Sequence, residues 1–238
     1  MFLETADIET ASAGYAERFS GQAGEYFLEK QEAITLALLQ DLSGARILDV
    51  GGGHAQLAEP LVAKGFEVTV TGSDDICRKR LDQRIGSSNF TYLTCDCLNL
   101  PYEDNAFDVV ISFRLLPHAQ RWQELLAELC RVADRCVICD YPDRRSVNIL
   151  YEHLFAMKKK MEGNTRPYTL FSRGQMAQVL ERNGFGAPLF KPEFLLPMVI
   201  HRKLNNKKIS SLVENCLQAT SLTHFFGSPI IFRSDRLP

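Results

Sequence analysis

Short apolar runs alternate with stretches of helical spacing five times between residues 46 and 141. Residues 46–50, 66–71, 90–94, 107–112 and 135–141 read as strands, most of them rich in β-branched and aliphatic side chains. Residues 56–64, 77–85 and 121–132 between them carry apolar groups three and four apart, as amphipathic helices do. Successive strands joined through helices need crossover connections, and right-handed crossovers wind a parallel sheet with helices on both faces. The rhythm therefore predicts an α/β fold built on a doubly wound, mostly parallel sheet. Outside this core, spacing predicts helices over 24–40, 147–161, 172–183 (capped by Ser172) and 207–219, and strands over 193–201 and 228–233, which makes seven strands in all.

Composition excludes several classes. The 238 residues include 27 basic and 29 acidic side chains, a net charge of −2, so nothing marks a polyanion binder and no nucleic-acid partner is expected. The first ten residues hold no basic stretch and no apolar core, and no apolar run approaches the ~18 residues of a membrane span. Seven cysteines, an odd number without a secretory leader, point to reduced thiols and a cytoplasmic setting. Cys136-Val-Ile-Cys139 has the spacing of half a metal site, but no second such pair exists and Val137-Ile138 read as mid-strand, so no metal is expected there.

The sharpest local signal is Asp49-Val-Gly51-Gly52-Gly53-His54-Ala55, set directly between the first strand and the first helix of the alternating core. Glycines at such a junction let the chain turn tightly and let a ligand approach the backbone. Two ligand classes use this geometry, dinucleotides and S-adenosylmethionine. A dinucleotide fingerprint started at Gly51 requires a third glycine where Gln56 stands, and Asp49 would repel a pyrophosphate. A carboxylate suits a ligand with a positive amine and a sulfonium.

Ile47-Leu-Asp-Val-Gly-Gly-Gly-His-Ala55 resembles motif I of the class I S-adenosylmethionine-dependent methyltransferases, with Ala55 at the pattern's last glycine. Val70-Thr-Gly-Ser-Asp74 resembles the family's acidic ribose-binding position, with Asp75 beside it as the alternative. Leu93-Thr-Cys-Asp96-Cys97 resembles the adenine-edge position, where a carboxylate and the next backbone N–H meet the base, and Leu100-Pro-Tyr102 with Phe107-Asp-Val-Val resembles the stretch entering strand four. The resemblance implies a Rossmann-like sheet with an antiparallel last strand, S-adenosylmethionine as cofactor and a small-molecule acceptor. It implies cofactor contacts from Asp49, Gly51, Gly52, Gly53, Asp74 or Asp75, Asp96 and Cys97, and from Ser112 and Phe113 after strand four. It further implies a single domain over 1–238, with an arm over 1–45, a cofactor core over 46–141, and inserts over 142–171 and 201–226 that roof the acceptor.

In the arm, Gly14-Tyr15-Ala-Glu-Arg18-Phe19 resembles the segment whose aromatic and arginine fold over the cofactor's carboxylate, so Tyr15 and Arg18 are candidates there. His118, beyond strand four, is the candidate proton acceptor, because an imidazole titrates near neutral pH. Arg114, Tyr151 and His153 are candidate acceptor contacts. Two alternatives to methyl transfer stay open: an S-adenosylmethionine-binding partner protein without activity, and an NAD(P)-dependent oxidoreductase.

Overall fold

The structure is a computed structural model and describes residues 2–87, 89–146 and 168–238. Strands β1 (Arg46–Val50), β2 (Glu67–Gly72), β3 (Thr91–Thr94), β4 (Phe107–Ser112), β5 (Ala133–Tyr141), β6 (Leu189–Pro192) and β7 (Ile230–Asp235) form one sheet in the order β3-β2-β1-β4-β5-β7-β6. β1 through β5 pair in parallel, while β7 runs antiparallel between β5 and β6. Among the described residues the helices are α1 (Ala6–Thr10), α2 (Ala13–Glu17), α3 (Gly21–Leu38), α4 (Ala58–Ala63), α5 (Arg78–Ile85), α6 (Trp122–Val132), α7 (Arg173–Arg182), α8 (Met198–Leu204), α9 (Lys207–Ala219) and α10 (Leu222–Phe226).

Alternation along each strand splits the core in two. Ile47, Val109, Ile111, Cys136, Ile138 and Ile231 face α3, α4 and α5, which contribute Leu38, Leu61 and Leu81. Leu48, Val110, Val137, Cys139 and Phe232 face the other way, onto Leu125, Leu126 and Leu129 of α6 and Met176 and Leu180 of α7. Both faces are covered, which is why the strands read as continuous apolar runs. The same alternation explains Cys136 and Cys139: three residues apart on a strand, they point to opposite faces and cannot grip one ion together.

Ser172 caps α7 with a full capping box to Gln175. One expectation is corrected. Residues 193–201 are not a strand: pairing with β7 ends at Pro192, and Pro197 opens helix α8 with its extended backbone. Phe194 leaves the sheet to stack on Phe27 of α3, with ring centroids 3.9 Å apart. In the arm, two five-residue helices, α1 and α2, precede α3, which matches the helix expected over 24–40. The expected helix over 147–161, with Tyr151 and His153, lies outside the described residues.

Candidate functional site

β1 is the point where the sheet's winding reverses, with β2 paired on one side and β4 on the other. Open α/β sheets bind ligands outside the strand ends at this switch. Here β1 delivers Asp49 and then a turn in which Gly51 stands in the left-handed region at φ 77°. A Cβ at Gly51 would also come within 2.9 Å of Leu115, so this position needs glycine twice over. A Cβ on Gly52 would fall inside the Asp49 carboxylate, so that glycine is what lets the acid lie under the turn.

Asp49 is fully buried, and neither carboxylate oxygen has a hydrogen-bond partner among the described residues. Among the described residues no cation offsets this, and burial pushes its carboxyl up to about 7. Structural carboxylates are not left so, because an unpaired buried acid costs several kcal/mol (~2–7 for a polar group). Beside it, His54 is buried and held neutral, its imidazole pulled down to about 3 by burial, while its Nδ1 accepts from the Gln56 N–H at 3.2 Å.

The other candidates lie along the same edge. Asp74 follows β2 and is exposed; its Oδ1 accepts from the Ile76 N–H at 2.9 Å, and Asp75 beside it accepts from the Thr94 hydroxyl. Asp96 accepts from the Leu98 N–H at 2.9 Å through Oδ1 and so shapes its own loop, while Cys97 is fully buried. Ser112 donates to the Val50 carbonyl at 2.9 Å, which ties the ends of β4 and β1 together, and Phe113 is buried in the core. Arg18 is half-exposed, 3.7 Å from Glu9, and its guanidinium lies 4.9 Å above the Tyr15 ring.

Helix α1 brings a residue that the motifs did not single out. Asp7 is fully buried; its Oδ2 accepts from the Ser73 N–H at 2.6 Å and its Oδ1 from the Ser73 hydroxyl at 2.5 Å. A Cβ on Gly51 would sit 3.5 Å from the Asp7 Cβ, and one on Gly53 3.0 Å from Ala11. Asp7 thus fills the space between the glycine turn and the end of β2.

Beyond β4 and β5 the edge opens into a cavity of about 400 Å³. Its walls are Tyr15, Phe19, Phe27, Tyr168 and the 195–198 loop, and its polar groups include Gln31, Arg114, Asp140 and Glu193. Asp140 accepts from the Arg114 N–H at 2.6 Å, and Arg114 Nη2 donates to Gln31 Oε1 at 2.6 Å. The Arg114 guanidinium stacks 3.7 Å from the Phe19 ring centre. Burial is the largest cause that raises both acids, Asp140 up to about 6 and Glu193 well above the ordinary glutamate range, with the Arg114 charge opposing it in each. Arg114 is therefore in this cavity, but His118 is not: it lines a separate cleft with residues 3–6, Pro117, Tyr168 and Thr169.

Comparison with known proteins gives this edge a family. Residues 48–135 match the family described as "Methyltransferase domain". Over 114 residues the chain is 31% identical to the phthiotriol/phenolphthiotriol dimycocerosates methyltransferase of Mycobacterium tuberculosis, covering 45% of this chain and 41% of that protein. It is 33% identical over 114 residues to the demethylmenaquinone methyltransferase of Thermobifida fusca, covering 45% of this chain and 48% of that one. The chain thus spans under half the length of both relatives. The methyltransferase domain and its flanks share their fold with the magnesium protoporphyrin IX methyltransferase of Synechocystis with bound SAH: TM-score 0.65, 17% identity, 96% of each chain covered. Among the described residues no helix is long and apolar enough to cross a membrane.

Proposed function

We propose that this chain transfers a methyl group from S-adenosylmethionine to a small-molecule acceptor. The observation that carries the reading is Asp49: a buried carboxylate without a partner, under a glycine turn at the winding reversal of a methyltransferase domain. The cofactor's charged amine would supply the partner that Asp49 lacks. The turn Gly51–Gly53 leaves the backbone approachable, Asp74 or Asp75 would meet the ribose, Asp96 and the Cys97 N–H the adenine, and the Ser112 and Phe113 carbonyls the amine. These groups fit the cofactor once Asp7 leaves the space between the turn and β2.

The bound cofactor supplies an already activated methyl group, so the protein's work is alignment and exclusion of water. The apolar walls of the cavity beside β4 and β5 would hold the acceptor, with Arg114 among its contacts. The net charge of −2 and the apolar walls of this cavity suit a small organic molecule better than a polyanion. Domain boundaries follow the same reading, with a cofactor core over 46–141 and an arm over 1–45. Six of the seven thiols are buried and unbridged, which suits the reducing cytoplasm.

Calorimetric titration with S-adenosylhomocysteine tests the proposal. Binding at a one-to-one ratio is expected, weakened about tenfold or more in Asp49→Asn through loss of a buried ion pair. A folded protein that binds neither this ligand nor S-adenosylmethionine, even with Asp7→Ala, would overturn it.

A further inference from the structure

The cavity beyond β4 and β5 holds more chemistry than positioning requires. Two buried donors on its wall lack partners among the described residues: Arg114 Nη1 and Gln31 Nε2, on residues only 9% and 3% exposed. Facing the same space are two carboxyl groups, Asp140 and Glu193, 6% and 5% exposed. Asp140 is committed, since it accepts from the Arg114 N–H. Glu193 stands on a loop fixed from three sides. Its own N–H donates to the Pro229 carbonyl at 2.9 Å, Phe194 stacks on Phe27, and the N–H groups of Leu195 and Leu196 donate to Glu214 at 2.9 Å each. Glu214 is braced in turn by His201 at 3.1 Å. A carboxyl held this firmly at an apolar wall is placed for a task.

Arg114 Nη1 and Gln31 Nε2 can only donate, and an amine nitrogen offers a single lone pair, too few to accept from both. An oxygen acceptor satisfies both, and the flat rings of Tyr15, Phe19 and Phe27 suit a planar body. Resting on the methyl-transfer reading of the neighbouring strand ends, we propose that the acceptor is a planar ring bearing an ionisable hydroxyl, held at its oxygen by Arg114 Nη1 and Gln31 Nε2 and deprotonated by Glu193. In this step the acceptor's O–H bond breaks and a Glu193 Oε–H bond forms. The electron pair stays on the acceptor oxygen, where the two donors stabilise its charge. Burial strengthens Glu193 as a base, Asp140 adds to this, and Arg114 and Lys30 oppose it. Tyr15, raised first by burial and under the charges of Arg114, Asp140 and Arg18, and Tyr168 are the remaining titratable groups that line the space.

The probe is 4-nitrophenol, titrated calorimetrically into the full-length chain without cofactor, above the pH at which the free phenol ionises. Repeating the titration in buffers of different ionisation heat counts the protons taken up. Wild type is expected to bind the phenolate with uptake of about one proton, the one Glu193 must regain beside an anion. Glu193→Gln, which keeps the side chain's shape, is expected to bind it with none. Arg114→Met should weaken binding about tenfold, the loss of one charge-assisted bond. No phenolate binding by wild type, or an uptake that persists in Glu193→Gln and vanishes in Asp140→Asn, overturns the assignment. S-adenosylhomocysteine titrated into the same samples separates the two readings. Cofactor binding without coupled phenolate uptake removes this inference and leaves methyl transfer standing; coupled uptake without cofactor binding does the reverse.

Discussion

At the scale of single residues, Asp49 contributes to the pH response of the ligand-free protein in the same sense as Asp140 and Glu193 and against His54. The Asp49 carboxyl rises from 3.8 to about 7 in the folded state. Between those values the unfolded chain has lost the proton that the folded chain keeps, so stability falls as pH rises through that window and levels off above it. At 1.36 kcal/mol per unit this is worth roughly 4 kcal/mol. Asp49→Asn, which keeps the shape and loses the titration, should therefore melt higher than wild type at pH 8 and close to it at pH 4. Thermal melting across that range checks this, and an unchanged slope in the variant would contradict it. Gly52→Ala pushes a methyl into the same carboxylate and should cost about 1–3 kcal/mol in chemical denaturation, as overpacked buried sites do. Asp49 and the glycines could be read from the sequence because a carboxylate two residues before a strand-ending glycine run has few structural uses. Glu193 could not: one glutamate between Pro192 and Phe194 looks like a surface residue. The signal it did leave is an acid standing alone ahead of the apolar stretch Phe194-Leu-Leu-Pro-Met198.

At the scale of elements, α1 acts as a strap across the groove. Asp7 ties it to Ser73, and a ligand reaching from the glycine turn to the end of β2 must displace it. Apparent affinity is then reduced by the fraction of molecules in which α1 is open. Asp7→Ala should lower stability by about 1–3 kcal/mol, because it leaves the Ser73 N–H without its partner. It should at the same time tighten S-adenosylhomocysteine binding. Parallel denaturation and calorimetry measure both; weaker binding in the variant would show that α1 helps to hold the ligand. Neither α1 nor α2 was legible in advance, since five residues carry too little periodicity and such short helices persist only through tertiary contacts. The segment 193–201 misled for a related reason: its apolar run fits a buried strand, and only contacts with α3 and α9 show that the chain has already left the sheet. The central strands β1, β4 and β5 were legible within two residues, because burial on both faces writes an apolar run that few other structures need.

At the scale of the whole molecule, two cores fix one seven-stranded sheet and leave its carboxyl edge as the working surface. The glycine turn and the aromatic cavity sit side by side there, joined through Arg114, whose backbone N–H bonds Asp140 and whose charge also reaches His54. Ligand at a hundred times its dissociation constant should raise global stability by about 2.7 kcal/mol. A thermal-shift series with S-adenosylhomocysteine would show this as a melting point that climbs with concentration, and a flat series would count against binding at this edge. The most direct test is a crystal structure of the chain grown with S-adenosylhomocysteine. The account predicts the ligand's amine near the Asp49 carboxylate, its ribose between Gly51–Gly53 and the end of β2, and the Asp7–Ser73 bonds broken. A structure with α1 still bonded to Ser73 and the ligand absent from the glycine turn would contradict it.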